Sequence, residues 1–200
     1  MNDRLPRTVA LTALAALAVS CTGNGATPTA AQASVPAAAP AATGAAADRQ
    51  YRPPQEFDGL PSVPDSAFVK LIRSGVAKGD LPATAVGTSY ISADRARNIT
   101  VRVMPQHNTD PAAALDELMA KELPKPELRA GFTEADPGER GGVMRCGSFG
   151  ADGSTVSALC LWSDGSMLGI YGEYVRGTEQ DVDAAARHAR DFRRLAEAPS

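Results

Sequence analysis

The chain is poor in the residues from which most catalytic and metal sites are built. Its 200 residues include two histidines, three cysteines and one tryptophan. The histidines, His107 and His188, are far apart and show no ligand spacing, so we expect no metal and no cofactor. A nucleophile–histidine–carboxylate site would need one of them, but we interpret His107 as a solvated loop residue and His188 as an exposed helix residue. Because nucleotide-binding, α/β-hydrolase and zinc-peptidase motifs are also missing, the sequence predicts no catalytic residue and no enzyme activity.

The sequence also lacks an excess of positive charge. Lysine and arginine together number 20, against 23 acidic residues, which gives a formal net charge of −3. A general nucleic-acid binder needs a basic surface, so we expect no nucleic-acid partner. Electrostatic adhesion to an anionic membrane is disfavoured for the same reason.

The apolar run near the N-terminus is too short to cross a bilayer. The uncharged segment 8–19 has twelve residues, whereas a membrane-spanning helix needs about 20. Arg4 and Arg7 precede it and supply the positive charge that opens a signal peptide. The segment therefore favours a removable signal over a membrane anchor.

Cys21 indicates which kind of signal this is. It follows the small residues Val19 and Ser20, as in the lipobox of bacterial lipoproteins, with one departure, since Ala18 stands where leucine is usual. The alternative is a free cysteine in an ordinary secretory signal. We predict a lipoprotein signal peptide over residues 1–20 and lipid, such as palmitate, on Cys21. The lipid would hold the protein at the outer face of the cell membrane, outside the cytoplasm.

The segment after the cysteine differs in composition from the rest of the chain. Residues 21–50 are almost wholly alanine, threonine, proline, glycine and glutamine, with Val35 as the one large apolar residue. Such a segment cannot bury enough apolar surface to offset the entropy of ordering. We predict a disordered tether over 21–50 and one globular domain over 51–200.

Two cysteines remain for the domain, Cys146 and Cys160. In an oxidising compartment an even pair favours a disulfide over a metal ligand or a catalytic thiol. The turn residues Asp152-Gly153-Ser154 predict a hairpin centred near Gly153, which would place the two cysteines directly opposite each other. Both arguments lead to a Cys146–Cys160 disulfide.

Residue periodicity predicts an α+β domain, with an antiparallel sheet of about five strands packed by two to three helices. The elements expected are a helix over 65–73 capped by Asp65 and ended by Gly75 and Gly79, strands 85–92 and 98–104, a helix from Asp110 to Pro124, a meander of strands 143–149, 155–162 and 167–175, and a final helix capped by Thr178.

Few side chains stand out as ligand contacts. Trp162 lies on a strand and favours core packing, with an exposed stacking platform as the alternative. Tyr171 and Tyr174 lie on opposite strand faces, so at least one should face outward. Asp152 and Asp164 are better explained by turns than by calcium, and the arginine-rich segment 187–194 by a solvated helix face.

The frame Cys146…Cys160-Leu161-Trp162-Ser163-Asp164 follows a lipobox and a tether rich in alanine and proline. This layout resembles uncharacterised exported lipoproteins of streptomycete-type actinobacteria over most of residues 85–196. The order of elements is also similar to that of small lipoprotein domains with a Mog1/PsbP-like fold. Neither resemblance implies catalytic residues.

The sequence therefore predicts a membrane-anchored lipoprotein with a non-catalytic binding or protein-interaction domain, whose partner is an unknown protein or small-molecule ligand. Two alternatives stay open, a hydrolase of cell-envelope material and an accessory sensor of a membrane signalling protein.

Overall fold

The computed structural model describes residues 49–151 and 155–199. The predicted signal peptide, Cys21, nearly all of the predicted tether and the predicted turn 152–154 lie outside these residues. The elements are β1 (Arg49–Tyr51), β2 (Glu56–Phe57), β3 (Leu60–Pro61), α1 (Ala67–Lys78), β4 (Val86–Ile91), β5 (Arg97–Pro105), α2 (Pro111–Glu122), α3 (Pro126–Arg129), β6 (Thr133–Ala135), β7 (Val143–Ala151), β8 (Thr155–Ser163), β9 (Met167–Val175), α4 (Val182–Ala196) and β10 (Glu197–Pro199).

The predicted α+β fold class is confirmed. Six antiparallel strands form one sheet in the order β4-β5-β9-β8-β7-β6, with helices packed against it. The sixth strand, β6, is three residues long, too short for its alternation to be read from sequence. Helix α3 is a single turn that begins at Pro126. In the described part of the chain, no helix is both long and apolar enough to span a membrane.

The predicted meander is confirmed, and its register places the two cysteines across from each other. Strands β7 and β8 pair so that Cys146 lies opposite Cys160, and the two form a disulfide. Strand β9 continues the meander and pairs with β8 and β5. Because β7, β8 and β9 are joined by consecutive hairpins, the disulfide ties together two neighbouring strands inside the sheet.

Each face of the sheet has its own apolar core. On one face, helix α4 and the segment around β2 and β3 cover a cluster that includes Tyr90, Tyr171 and Trp162. At its centre the rings of Phe57 and Phe192 meet edge to face, with their centroids 5.2 Å apart. On the opposite face, the leucines of α2 pack on β8 and β9. The sheet is therefore covered from both sides.

Two helix starts differ from the sequence prediction. Helix α1 is capped by Ser66, whose Oγ accepts a hydrogen bond from the amide of Val69 at 3.2 Å, rather than by Asp65. The helix runs through Gly75 and ends at Gly79, which has a positive φ of 80°. Helix α4 begins three residues later than predicted because Asp181, not Thr178, accepts the hydrogen bond of the first turn. Serine and aspartate are both strong N-caps, so local sequence did not separate the alternatives.

The ends of the described chain are paired. Strands β1 and β10 run antiparallel, with Arg49 opposite Pro199 and Tyr51 opposite Glu197. The amide of Arg52 extends this ladder by donating to the carbonyl of Ala196 at 2.7 Å. The end of the segment that leads from Cys21 is thereby joined to the C-terminal strand.

Candidate functional site

The three aromatic residues considered as ligand contacts have different surroundings. Trp162 and Tyr171 are fully buried in the core on the α4 side of the sheet, so neither offers a surface to a ligand. Tyr174 is partly exposed on the opposite face. The Tyr171 hydroxyl donates to Glu173 Oε2 at 2.9 Å; burial, followed by the charge of Glu173, holds the pKa of Tyr171 far above its usual range.

The predicted turn role of Asp164 is confirmed, and Asp152 lies outside the described residues. Asp164 Oδ1 accepts hydrogen bonds from the amides of Ser166 and Met167 at 2.8 and 2.9 Å. His107 is exposed in its loop, as expected. Within residues 49–151 and 155–199, no group of three or more histidine, cysteine, aspartate or glutamate side chains could hold a metal ion.

The prediction of a solvated arginine face on the last helix is wrong for Arg193. This side chain is fully buried; Nη2 lies 2.8 Å from Asp164 Oδ2, and Nε lies 3.3 Å from Glu197 Oε1. Nη1 donates to the carbonyl of Pro137 at 2.8 Å, and the guanidinium lies 5.5 Å from the centre of the Trp162 ring. Arg193 is spaced four residues from the buried Ala189 and so lies on the helix face that packs on the sheet.

The prediction that His188 is an exposed surface residue is also wrong. Its side chain is 30% exposed, and its Nδ1 lies 2.8 Å from Glu173 Oε2. Its Nε2 lies 3.7 Å from Asp58 Oδ2, in the turn between β2 and β3. Arg97 completes the cluster with two hydrogen bonds to Glu173 Oε1, at 2.8 and 2.6 Å, and one ion pair to Asp58.

This cluster fastens the N-terminal turn to the sheet. Burial lowers the pKa of Arg97, but hydrogen bonds to Asp58 and Glu173 outweigh it and raise that pKa above its usual range. Glu173 is 8% exposed and already accepts from Arg97, and it also contacts Tyr171 and His188. Its oxygens are therefore occupied by neighbours from β5, β9 and α4, which is the arrangement of a structural carboxylate.

An open cleft lies beside α2, where this helix approaches α3 and β7. Its volume is about 440 Å³, and it is lined by Asp116, Met119, Ala120, Arg129, Phe132 and Arg145. Met119 and Phe132 are buried and form its apolar floor. We call this space the α2 cleft.

Two guanidinium groups give the α2 cleft its charge. Arg145 Nη1 lies 2.5 Å from Asp116 Oδ1, and the two side chains are 32% and 62% exposed. Arg129, partly exposed, forms no ion pair within residues 49–151 and 155–199. One carboxylate against two arginines leaves the lining with an excess of positive charge, although the whole chain is acidic. Guanidinium groups with free donors bind planar oxyanions in a bidentate geometry.

Arg145 also borders a second concavity farther along α2. This smaller space of about 240 Å³ is lined by Ala112, Leu115, Glu134, Ala135, Pro137, Gly142, Val143, Met144 and Arg145. Both spaces lie between α2 and strand β7, and Arg145 belongs to the lining of each. An extended ligand bound in either space would therefore contact Arg145.

Sequence reasoning missed the α2 cleft, although one signal was present. Arg145 stands between the buried residues Met144 and Cys146 on a strand, so alternation places it on the face opposite the disulfide. The position of Arg129 depends on α3, which is too short to be predicted. Comparisons of the chain with protein families, curated proteins and solved structures find no match.

Proposed function

We propose that the protein is an extracytoplasmic lipoprotein, anchored to the outer face of the cell membrane by lipid on Cys21. Its domain binds a protein or small-molecule partner at the α2 cleft and performs no chemistry on it. The observation that carries the binding role is the pair of guanidinium groups, Arg129 and Arg145, above an apolar floor in an open cleft.

The disulfide supports the proposed compartment. Cys146 and Cys160 are bonded, and structural disulfides persist in oxidising environments outside the cytoplasm. A signal segment followed by Cys21 is the sequence counterpart of that location. The two observations come from different parts of the chain and lead to the same compartment.

The hydrolase alternative has one feature in its favour. His188 lies beside two carboxylates, Glu173 and Asp58, and a histidine oriented by a carboxylate is a common general base. The binding role is favoured because Glu173 is held at the same time by Arg97 and Tyr171, and because no serine, threonine or cysteine in the described part of the chain is hydrogen-bonded to His188. A sensor subunit would be a special case of the binding role.

Membrane attachment is tested with a single substitution. Wild-type chain produced in a bacterium with lipoprotein processing should incorporate an alkyne-labelled palmitate and sediment with membranes. Cys21→Ser should lose the label and appear in the soluble exported fraction. Continued sedimentation of Cys21→Ser with membranes, without label, would overturn the anchor.

The binding role is tested in intact cells by site-specific photo-crosslinking. A benzophenone amino acid replaces Ala120 in the α2 cleft or, as a control, the exposed Lys70 on α1. The position-120 probe should give a discrete crosslinked product that Arg145→Ala abolishes, and the position-70 probe should not give that product. The same products from both positions, or none from position 120, would contradict a binding role for this cleft.

A further inference from the structure

We propose that the α2 cleft recognises an acidic peptide segment, whose carboxylate pairs with Arg145 and Arg129 and displaces Asp116. This inference rests on the proposed binding function and adds the chemical class of the partner. It also assigns Asp116 a role, that of an internal competitor for the site.

The Arg145–Asp116 pair shows which chemistry fits Arg145. A carboxylate oxygen already lies 2.5 Å from Arg145 Nη1, so the guanidinium is accessible to a carboxylate from the cleft side. Asp116 is 62% exposed, and an exposed ion pair contributes little because water screens the charges and the side chains lose freedom. An incoming carboxylate can therefore replace Asp116 at small cost and gain Arg129 as a second partner.

The shape of the region favours an extended chain over a compact anion. Arg145 lies between the α2 cleft and the smaller concavity bordered by Leu115 and Met144. A peptide that crosses Arg145 can place its acidic group there and direct small apolar side chains to either side. The smaller concavity carries Glu134, which would repel a second carboxylate there and so centres the acidic residue on Arg145.

A peptide fits the charges better than a membrane surface does. Each basic residue near an anionic bilayer contributes about 1 kcal/mol, and the α2 cleft offers two arginines in a chain of net charge −3. Membrane association through this cleft would therefore be weak. Two guanidiniums that meet one carboxylate in the α2 cleft form charge-assisted hydrogen bonds, which are stronger than neutral ones.

The test uses the exported Cys21→Ser chain and fluorescence anisotropy. The probe is a fluorescein-labelled hexapeptide with one central glutamate among leucine and serine residues, and the comparison probe carries glutamine in place of that glutamate. The acidic peptide should bind at least about tenfold more tightly than the glutamine peptide, and Arg145→Ala should weaken its binding at least about tenfold. Asp116→Asn should strengthen it by about two- to fivefold, because the competitor is removed.

A second exposed ion pair provides matched controls. Arg73 and Asp65 on the α1 side form a pair at 3.4 Å, with side chains 63% and 77% exposed. Arg73→Ala and Asp65→Asn make the same changes of charge, and both should leave the affinity within about twofold if binding is local to the cleft. Arg145→Lys keeps the charge but loses the planar fork, so it should retain only part of the affinity. Circular dichroism confirms that each variant is folded.

Several results would overturn the inference. If Asp116→Asn weakens binding of the acidic peptide or leaves it unchanged, Asp116 does not compete with the peptide for Arg145. Equal binding of the two peptides would exclude carboxylate recognition. Binding to phosphatidylglycerol vesicles but not to the acidic peptide, with loss in Arg145→Ala, would replace the peptide by a lipid surface while leaving the cleft as a binding site. Whether the protein is anchored by lipid is measured separately, by the sedimentation of Cys21→Ser with membranes.

Discussion

Replacing Arg193 by methionine should destabilise the domain more than any conservative change on its surface. The arginine is fully buried between the carboxylates of Asp164 and Glu197 and also donates to the carbonyls of Pro137 and Gly141. Methionine preserves much of the volume but removes the charge, so both buried carboxylates lose their arginine partner. Removal of one partner from a buried ion pair costs about 3–5 kcal/mol.

That loss would be a large share of the total stability, since domains of this kind unfold with about 5–15 kcal/mol. For a domain of this size, each 1 kcal/mol lost from the free energy of unfolding lowers the melting temperature by about 2–4 °C. We therefore expect a decrease of about 6–20 °C in Arg193→Met. Methionine is cheaper to bury than arginine, but this gain does not offset the loss of stability, because the buried carboxylates of Asp164 and Glu197 remain in place.

The assay is urea denaturation followed by far-ultraviolet circular dichroism. Fluorescence of the sole tryptophan, Trp162, is a second probe, although its ring lies 5.5 Å from the guanidinium and its baseline will change. The neighbouring Arg194→Met is the matched control. Its side chain is 54% exposed and forms a surface pair with Asp191 at 3.4 Å, so its loss should cost less than about 0.5 kcal/mol. If the two variants unfold within about 1 kcal/mol of each other, the reasoning about Arg193 is refuted.

Three further predictions concern the sheet. Replacing Cys146 and Cys160 together by serine should lower the free energy of unfolding by about 3 kcal/mol in urea, because the bridge closes a loop of about 15 residues; no change would mean that the bond is absent. Gly169→Ala should destabilise by about 1–3 kcal/mol, since the added methyl would lie 2.0 Å from the buried indole, whereas Gly131→Ala, with nothing within 4 Å, should be nearly neutral. Burial raises the pKa of the Tyr90 hydroxyl above its usual range in the folded protein. The contribution of this hydroxyl to stability is therefore complete below about pH 10 and is lost as the pH rises towards the pKa of the folded state. Tyr90→Phe should lose less stability above about pH 10 than the wild-type chain does.

Local pattern was sufficient where strands were long and followed each other closely in the chain. The alternation of residues 155–162 and the turn at Gly153 predicted the hairpin, and the position of that turn predicted which cysteines face each other. The helix from Asp110 was predicted because aspartate at the cap and proline at the first helical position both specify a helix start. In each case the sequence signal and the tertiary contacts agree.

The parts that could not be predicted depend on contacts between distant segments. Arg193 and His188 follow a helical stripe that, as sequence, is indistinguishable from an exposed basic face. Their burial depends on Asp164 and Glu173, which become neighbours only when the sheet and α4 come together. The α2 cleft likewise depends on Arg129 and Arg145, which are 16 positions apart and lie on α3 and β7, with β6 between these elements in the chain. The pattern of charged residues therefore predicted the position of side chains less well than the pattern of apolar residues did.

The pairing of β1 with β10 makes the two ends of the described chain neighbours in space. A reporter or affinity tag fused after the C-terminus would emerge beside the point where the segment from Cys21 enters the domain. A short linker between residues 49 and 199 would suffice to close the chain into a ring, so new ends could be opened at an exposed turn. If the proposed lipid anchor were kept at the new N-terminus, such a permuted chain would be attached through a different part of its surface, and the direction in which the α2 cleft faces could be chosen by the position of the new ends.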